Sequence, residues 1–515
     1  MRTIVRFVRG LGLAGLLWAQ TPPDHPQTQK PISQLDPAND LGPELRRFLD
    51  VLNAVQVHGA DAQPMDKLIY EGAIPSMLRQ LDPHTQFFEP SQFEQLKQME
   101  QSEQKGFGSI VSVLPGQVIF LQTFPGTPTS KAGIQAGDQL VAINNIAIGS
   151  LEPEQIIQLL TEARQQKILV YIRRQGDAKV LTFTLTPELM DSPSVDRAFL
   201  LGPGIGYIRV TSWDMQTAKQ LRDALAKLHV ESLRELVLDL RDNPGGIVKA
   251  SLEGAALFLK PGQRILTAKG RTEVVESADV PKNAKPYSFK LAVLVNGKTA
   301  SASEILTGAL QDHDRAVVIG EPSYGKGLVQ SVMPLSEGSG LAITTAFYYT
   351  PSGRSIQKPL KNSALSETFN TSRRTLPTYK TDDGRTVTGG GGIQPDIEVA
   401  PAVRTRLETV LDASGAVTSF ATAYLANHSP LPESFAITPG LIDDFQVYLS
   451  QRNIQPNVSE WGQERGWVSD RLLEEIVMQA RGVDKGDEIA ARRDPQIQAA
   501  LKAMQDGTIL ARVNK

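Results

Sequence analysis

Within residues 291–331 the chain reads Leu291-Ala292-Val293-Leu294-Val295, then Asn296-Gly297-Lys298, then Thr299-Ala300-Ser301-Ala302-Ser303-Glu304-Ile305-Leu306. Five consecutive apolar residues suit a strand buried on both faces. The Asn-Gly pair permits the positive φ of a sharp turn, and Ser303, Glu304 and Ile305 onward suit a helix start. The stretch predicts strand, tight turn and helix. Ser301 and Ser303 both fall at the helix N-terminus, where unpaired backbone N–H groups and the positive end of the dipole favour an alkoxide or oxyanion.

A second apolar run, Ala316-Val317-Val318-Ile319-Gly320, leads into Glu321-Pro322-Ser323-Tyr324-Gly325-Lys326-Gly327-Leu328-Val329-Gln330. Lys326 lies on a tight loop between two glycines. Flanking apolar residues make a dry setting that disfavours an ammonium, and a neutral lysine can take a proton from a serine hydroxyl. Two other motifs overlap here. Ser323-x-x-Lys326 matches the S-x-x-K of penicillin-binding proteins, but that motif needs a helical turn, which Pro322, Gly325 and Gly327 oppose. Gly320 to Gly327 is one residue from a Walker A loop, but Gly327 stands where the Mg²⁺-binding hydroxyl should be.

These two stretches resemble the carboxy-terminal processing peptidases, or tail-specific proteases, in Thr-Ala-Ser-Ala-Ser-Glu-Ile-Leu and in Gly-Lys-Gly-x-Val-Gln. The resemblance implies Ser301 as nucleophile, Lys326 as general base and Gln330 as the residue that orients the lysine. The residues alone do not separate Ser301 from Ser303; the family does.

Upstream, residues 97–190 alternate like a small β domain. They include Gly106-Phe107-Gly108-Ser109, Val118-Ile119-Phe120-Leu121 and Ala132-Gly133-Ile134-Gln135-Ala136-Gly137-Asp138-Gln139-Leu140-Val141-Ala142-Ile143. The last of these resembles a PDZ domain. Gly106, Phe107, Gly108 and Ser109 then fall where a carboxylate-binding loop is expected, since successive N–H groups of a Gly-rich loop form an anion nest beside a strand edge. A groove helix over 153–164 would offer Ile156, Ile157 and Leu160 to the last substrate side chain. Family members often end that helix with Arg-Gly; here the segment is Leu160-Thr161-Glu162-Ala163-Arg164-Gln165-Gln166-Lys167.

Strand patterns at Ile205–Val210 and Glu235–Leu240 and a helical face at Leu221, Ala224, Leu225 and Leu228 mark an α/β core. After the second strand, Asn243-Pro244-Gly245-Gly246 opens a helix expected over 250–259. The family resemblance places half an oxyanion hole there, so Gly245 or Gly246 would act with the N–H of Ala302. Further apolar segments at 328–335 and 341–349 and the Gly-Ile-x-Pro-Asp hallmark at 392–396 extend the resemblance to about residue 400. A polar surface excursion is expected at 360–390. The glycines of 389–392 lack a following Lys-Ser or Lys-Thr, so phosphate binding is not expected.

The 515 residues carry 53 basic and 56 acidic side chains, a net charge of −3, and 41% apolar content. This balance gives no global field to recruit nucleic acid. No cysteine occurs, so no lipobox or disulfide is expected. Arg2, Arg6 and Arg9 ahead of Gly10–Ala19 resemble a signal peptide over 1–19, with an uncleaved anchor as the alternative. A flexible tether follows over 20–40.

A helical region over 41–96 presents Leu45, Phe48, Leu49, Leu52 and Val55 as one apolar face. It ends in Leu81-Asp82-Pro83-His84, where His84 reads as a turn-capping residue. The six histidines are scattered, and Asp312-His313-Asp314 reads as a solvated helix end, not a metal site. Residues 401–515 are helical by pattern and form a dimerisation or adaptor surface or a lid.

The expected fold is multidomain α+β: an N-terminal helical segment, the PDZ domain, an α/β core over 199–400 of the crotonase/ClpP-like kind, and C-terminal helices. The expected activity is that of an exported serine endopeptidase of the bacterial envelope, with no cofactor or metal. It would act on proteins and peptides through their C-termini, as a homo-oligomer, with an adaptor lipoprotein as a candidate partner. The rival is a non-catalytic PDZ scaffold on an inactive protease core.

Overall fold

The computed structural model describes residues 3–6, 42–61, 63–100, 103–271, 275–359 and 376–506. Of the expected leader and tether only Thr3–Arg6 is included; the rest lies outside the described residues.

The core is a six-stranded sheet in the order Val195–Gly202, Ile205–Val210, Glu235–Asp239, Lys290–Val295, Val317–Gly320, Ile397–Glu398. The first pair is antiparallel and every later pairing is parallel, with Leu236 opposite Leu291 and Val293 opposite Val318. Parallel strands need cover on both faces, which is why Leu291–Val295 is a continuous apolar run. Strand alternation divides it: Leu291, Val293 and Val295 face the helices Thr217–Lys227, Val248–Ala255 and Ala302–Asp312, while Ala292 and Leu294 face the other way. That other face is covered by Pro495–Asp506, whose Ile497, Ala500, Ala503 and Met504 pack on Val237, Ala292, Leu294, Val317 and Ile319. A segment far along the chain thus completes the core.

A second sheet runs Val275–Asp279, Arg264–Gly270, Gly340–Tyr349, Leu328–Pro334, and Gln86–Phe88 joins it by pairing with Gly340–Ala342. The β domain comprises Ser109–Leu114, Gln117–Thr123, Gln139–Ile143, Ile168–Arg173 and Leu181–Leu185, with the helix Pro153–Ala163 closing its own apolar core. Thr3–Arg6 pairs antiparallel with the first of these strands. The C-terminal helices form a separate core around Phe420, Phe445 and Leu472. They reach the β domain through Met478 and Val483 against Ile110 and Leu121, and the core sheet through Arg241, which bonds Asp239 and Asp494 at 2.6 Å each.

The structure departs from several expectations. The helix Gly42–His58 forms as read but buries none of its residues; Leu45, Phe48, Leu49 and Val55 are exposed, so amphipathic spacing identified a face without identifying a cover. The helix expected over 250–259 spans Val248–Ala255. Asp312 and Asp314 are not solvated: both are buried, paired with Arg354 and Arg385, and His313 bonds Asp382 and the Arg264 carbonyl at 2.7 Å each. Of the expected excursion over 360–390, residues 376–390 contain a hairpin, Thr378–Lys380 with Thr386–Thr388, and 360–375 lies outside the described residues.

Candidate active site

Ser301 follows the strand Lys290–Val295 and caps the helix Ala302–Asp312 with φ 53° and ψ −117°, a conformation that costs a non-glycine residue about 1–3 kcal/mol. Its surroundings hold it there. The Ser301 N–H donates to Glu304 Oε2 at 2.9 Å, and its carbonyl accepts from the N–H of Glu304 at 2.8 Å and the Tyr348 hydroxyl at 3.2 Å. Ser303, two residues on, points elsewhere: its hydroxyl accepts the indole N–H of Trp213 at 2.9 Å and it is fully buried.

The same two side chains that hold Ser301 hold Lys326. Glu304 accepts the N–H of Gly325 at 2.7 Å and that of Lys326 at 2.9 Å, and also accepts a hydrogen bond from the Ser323 hydroxyl. The Tyr348 hydroxyl lies 2.8 Å from the Lys326 carbonyl. Burial pushes the Glu304 carboxyl up, against the pull of its four donors, and pushes the Tyr348 phenol well up, so Tyr348 remains a donor. The spacing Ser301-x-x-Glu304 is that of a capping box, a signal present in the sequence that would have marked Glu304 as an organiser of this turn.

Lys326 is 4% exposed, and burial lowers its amine to about 8, while the charges of Asp82 and Glu304 act the other way. Its Nζ donates to Gln330 Oε1 at 2.7 Å, and Gln330 Nε2 donates to the His84 carbonyl at 2.7 Å. The structure thereby corrects His84: the turn is capped by Asp82, which accepts the N–H of His84 at 2.7 Å, the N–H of Thr85 at 2.8 Å and the Thr85 hydroxyl at 2.6 Å. Burial, then the charge of Lys326, hold the His84 imidazole down at about 4 despite Asp82. Asp82, Tyr348 and Trp213 escaped sequence reasoning because each acts across a long stretch of chain.

The Pro-Gly-Gly loop meets Ser301 directly. A Cβ on Gly245 would stand 2.8 Å from that of Ser301 and 3.0 Å from the Ala302 nitrogen. The Gly245 N–H is engaged by Asn243 Oδ1 at 2.9 Å, and Asn243 is anchored through its own amide to the Val210 carbonyl at 2.9 Å. Gly246 bridges Trp213 in parallel fashion, so its own N–H is directed away from Trp213. The Gly245 N–H is thus engaged within its own loop, while that of Gly246 points away from Trp213.

In the β domain, Gly106 ends the strand Glu103–Gly106 and Phe107 is buried in the domain core. Gly108 has φ 77°, with its carbonyl bonded by Thr129 at 3.0 Å and Thr127 at 3.1 Å. Ser109 opens the strand on which Thr3–Arg6 pairs. Ile156 and Leu160 are fully buried and Ile157 partly so. Ser323 is buried between Glu304 and the Ile393 N–H, in a non-helical loop unlike that of a penicillin-binding protein.

Residues 204–362 match Peptidase family S41 and residues 125–174 match the PDZ domain. The carboxy-terminal-processing protease of Bartonella bacilliformis is 32% identical over 318 residues, covering 61% of this chain and 73% of that protein. The carboxyl-terminal-processing protease of Synechocystis sp. is 36% identical over 292 residues, covering 56% and 68%. Among solved structures, a photosystem II D1 C-terminal processing protease aligns at 28% identity and TM-score 0.38, covering 69% of this chain and 93% of that one. The chain belongs to the carboxy-terminal-processing protease family and is a serine-type peptidase with a PDZ domain.

Proposed function

We propose that the chain is an exported serine endopeptidase that captures the free C-terminus of a protein in its PDZ domain and cleaves it with Ser301 as nucleophile, Lys326 as general base and Gln330 as the residue orienting the lysine. The observation that carries this is the buried Lys326 amine, lowered to about 8 and bonded to Gln330 Oε1 at 2.7 Å. A neutral amine has two N–H bonds and one lone pair. With an N–H committed to Gln330, the amine is oriented, and in its neutral form its lone pair is the group that would take a hydroxyl proton.

In the proposed reaction Lys326 takes the Ser301 proton as Oγ attacks the scissile carbonyl. The tetrahedral oxyanion accepts the N–H groups of Ala302 and Gly246, each worth on the order of 3 kcal/mol by analogy with other oxyanion holes. Collapse breaks the C–N bond, and Lys326 returns the proton to the leaving amine. Water, deprotonated by the same lysine, then hydrolyses the acyl-enzyme and Ser301 regains its proton.

Docking through the PDZ domain is supported by the pairing of an extended segment with the strand Ser109–Leu114. Thr3–Arg6 lies antiparallel on it, with Arg6 opposite Ile110, the direction in which a substrate tail would run toward Gly106–Ser109. Export rests on the charged and apolar pattern of residues 1–19. Among the described residues no helix is long and apolar enough to cross a membrane.

The test is incubation of the full chain with a protein ending in an unstructured apolar tail, reading new termini by mass spectrometry. Wild type should cut it, and Ser301→Ala and Lys326→Ala should not. A Lys326→Ala protein cutting at the wild-type rate would reject the dyad, and failure of a serine-reactive probe to label Ser301 would favour the non-catalytic scaffold.

A further inference from the structure

The proposed dyad lies in the peptidase core, but the hydrogen bond that orients Gln330 comes from outside it. Gln330 Nε2 is 2.7 Å from the backbone carbonyl of His84, in a turn 246 residues earlier in the chain. A carbonyl has no proton to give. The amide must therefore present its NH₂ group there, and this leaves Oε1 for Lys326 Nζ at 2.7 Å. With the amide reversed, an NH₂ group would face the amine and could be met only by its lone pair, the pair needed for the Ser301 proton. What aims the His84 carbonyl thus decides what Lys326 meets.

The turn is fixed by one carboxylate. Asp82, 1% exposed, accepts the N–H groups of His84 and Thr85 at 2.7 and 2.8 Å and the Thr85 hydroxyl at 2.6 Å. Thr85 in turn accepts the N–H of Thr344 at 3.2 Å, and Thr344 stands opposite Gln330 in the ladder between Leu328–Pro334 and Gly340–Tyr349. The next residues, Gln86–Phe88, pair with Gly340–Ala342. The turn is therefore docked on the rung that carries Gln330.

We propose that Asp82 is a positioning residue of the proteolytic site: by fixing the turn 82–85 against Thr344 it presents the His84 carbonyl to Gln330 and so sets which amide atom faces Lys326. It follows that the site is not complete within residues 204–362 and requires the end of the N-terminal helical region. The proposal rests on Ser301 and Lys326 acting as described above. Among the described residues, the carboxylates of Asp82 and Glu304 favour the Lys326 ammonium, while the imidazole of His84, held down at about 4, is neutral at working pH.

The experiment measures kcat/KM against pH for the full chain with a fluorogenic peptide, alongside thermal melting. Asp82→Asn keeps one acceptor but loses the charge. Its plateau should fall roughly ten- to a hundredfold, the scale of a mispositioned catalytic group. Its acid limb should also move to lower pH, because the Lys326 ammonium loses a stabilising anion. Thr85→Val keeps the charge and loosens the turn, so its plateau should fall while the limb stays in place. A wild-type plateau in either variant overturns the proposal, as does an Asp82→Asn limb that does not move. Should Asp82→Asn not fold, the Thr85→Val plateau decides alone. Lys326→Ala run in parallel separates the two ideas: activity retained there sinks the dyad, whereas activity lost there with Asp82→Asn unaltered sinks only the positioning role.

Discussion

Trp213 donates its indole N–H to the Ser303 hydroxyl at 2.9 Å, and Ser303 is thereby committed to the core. Replacing Ser303 with Ala leaves that N–H buried and unpaired, a loss of about 1–3 kcal/mol. Ser303→Ala should melt earlier yet hydrolyse peptide at close to the wild-type rate per folded molecule. Ser301→Ala should melt near wild type and hydrolyse nothing. Reversed outcomes would move the proposed nucleophile to Ser303.

Much of this was legible along the chain. The strand Lys290–Val295 and the helix Ala302–Asp312 follow from an apolar run, a turn pair and a capped helix start, all within about twenty residues. What pattern could not supply is the identity of a partner at a distance. Asp312 looks solvated beside His313 and Asp314, because nothing local announces Arg354 on a later loop. Pro495–Asp506 reads as one more amphipathic helix, though its apolar face closes the sheet at Ala292 and Leu294. Gly42–His58 has an equally clear stripe and leaves it exposed. In the site, Lys326 and Gln330 lie on one loop and strand, whereas the Asp82 turn is brought in by tertiary structure.

The pH dependence has a defined sign. If Lys326 acts as a neutral base, kcat/KM should rise as pH climbs through about 8. Stability should rise as well from about 8 toward 10.5, because in that window the unfolded lysine holds a proton that the folded one has released. A kcat/KM profile falling with pH over that range would contradict the assignment.

His84 acts at the other end of the scale. Its folded imidazole is lowered from 6.5 to about 4, so its contribution is fully present above 6.5 and is lost as pH falls toward 4, where the unfolded chain alone takes up the proton. Melting temperatures of wild type and His84→Asn should therefore converge toward each other or cross as the pH is lowered through this window. Parallel melting curves across it would show that His84 does not titrate between the two states.

The buried pair Arg354 and Asp312, 2.8 Å apart, should behave as a unit. Arg354 also donates to Gln311 Oε1 at 2.7 Å and the Thr388 carbonyl at 3.0 Å, so Arg354→Met strands a carboxylate and two acceptors. The expected loss is about 3–5 kcal/mol by chemical denaturation, and Asp312→Leu added to it should recover part of that loss. Additive destabilisation by the two substitutions would show that they are not coupled.

The adjacent glycines of the Pro-Gly-Gly loop should fail in different ways. At Gly245, φ 105°, a Cβ would meet Ser301 Cβ and the Ala300 carbonyl at 2.8 Å each and the Ala302 nitrogen at 3.0 Å. The added methyl intrudes between the proposed nucleophile and an oxyanion donor. Gly245→Ala should therefore lower kcat by about 10²–10³, the scale of a lost oxyanion contact, and should also destabilise the fold, by about 1–3 kcal/mol for the strained backbone and further through the clash with the Ala300 carbonyl. At Gly246 a Cβ would stand 2.0 Å from the Trp213 carbonyl oxygen, which accepts the Ile247 N–H at 2.7 Å. No rotamer relieves a clash with backbone, so Gly246→Ala should break the bridge to Trp213 and appear as lost soluble yield or a large drop in melting temperature. Gly245→Ala retaining wild-type kcat would mean that this loop does not face the reacting carbonyl, and the proposed oxyanion hole would have to be sought elsewhere.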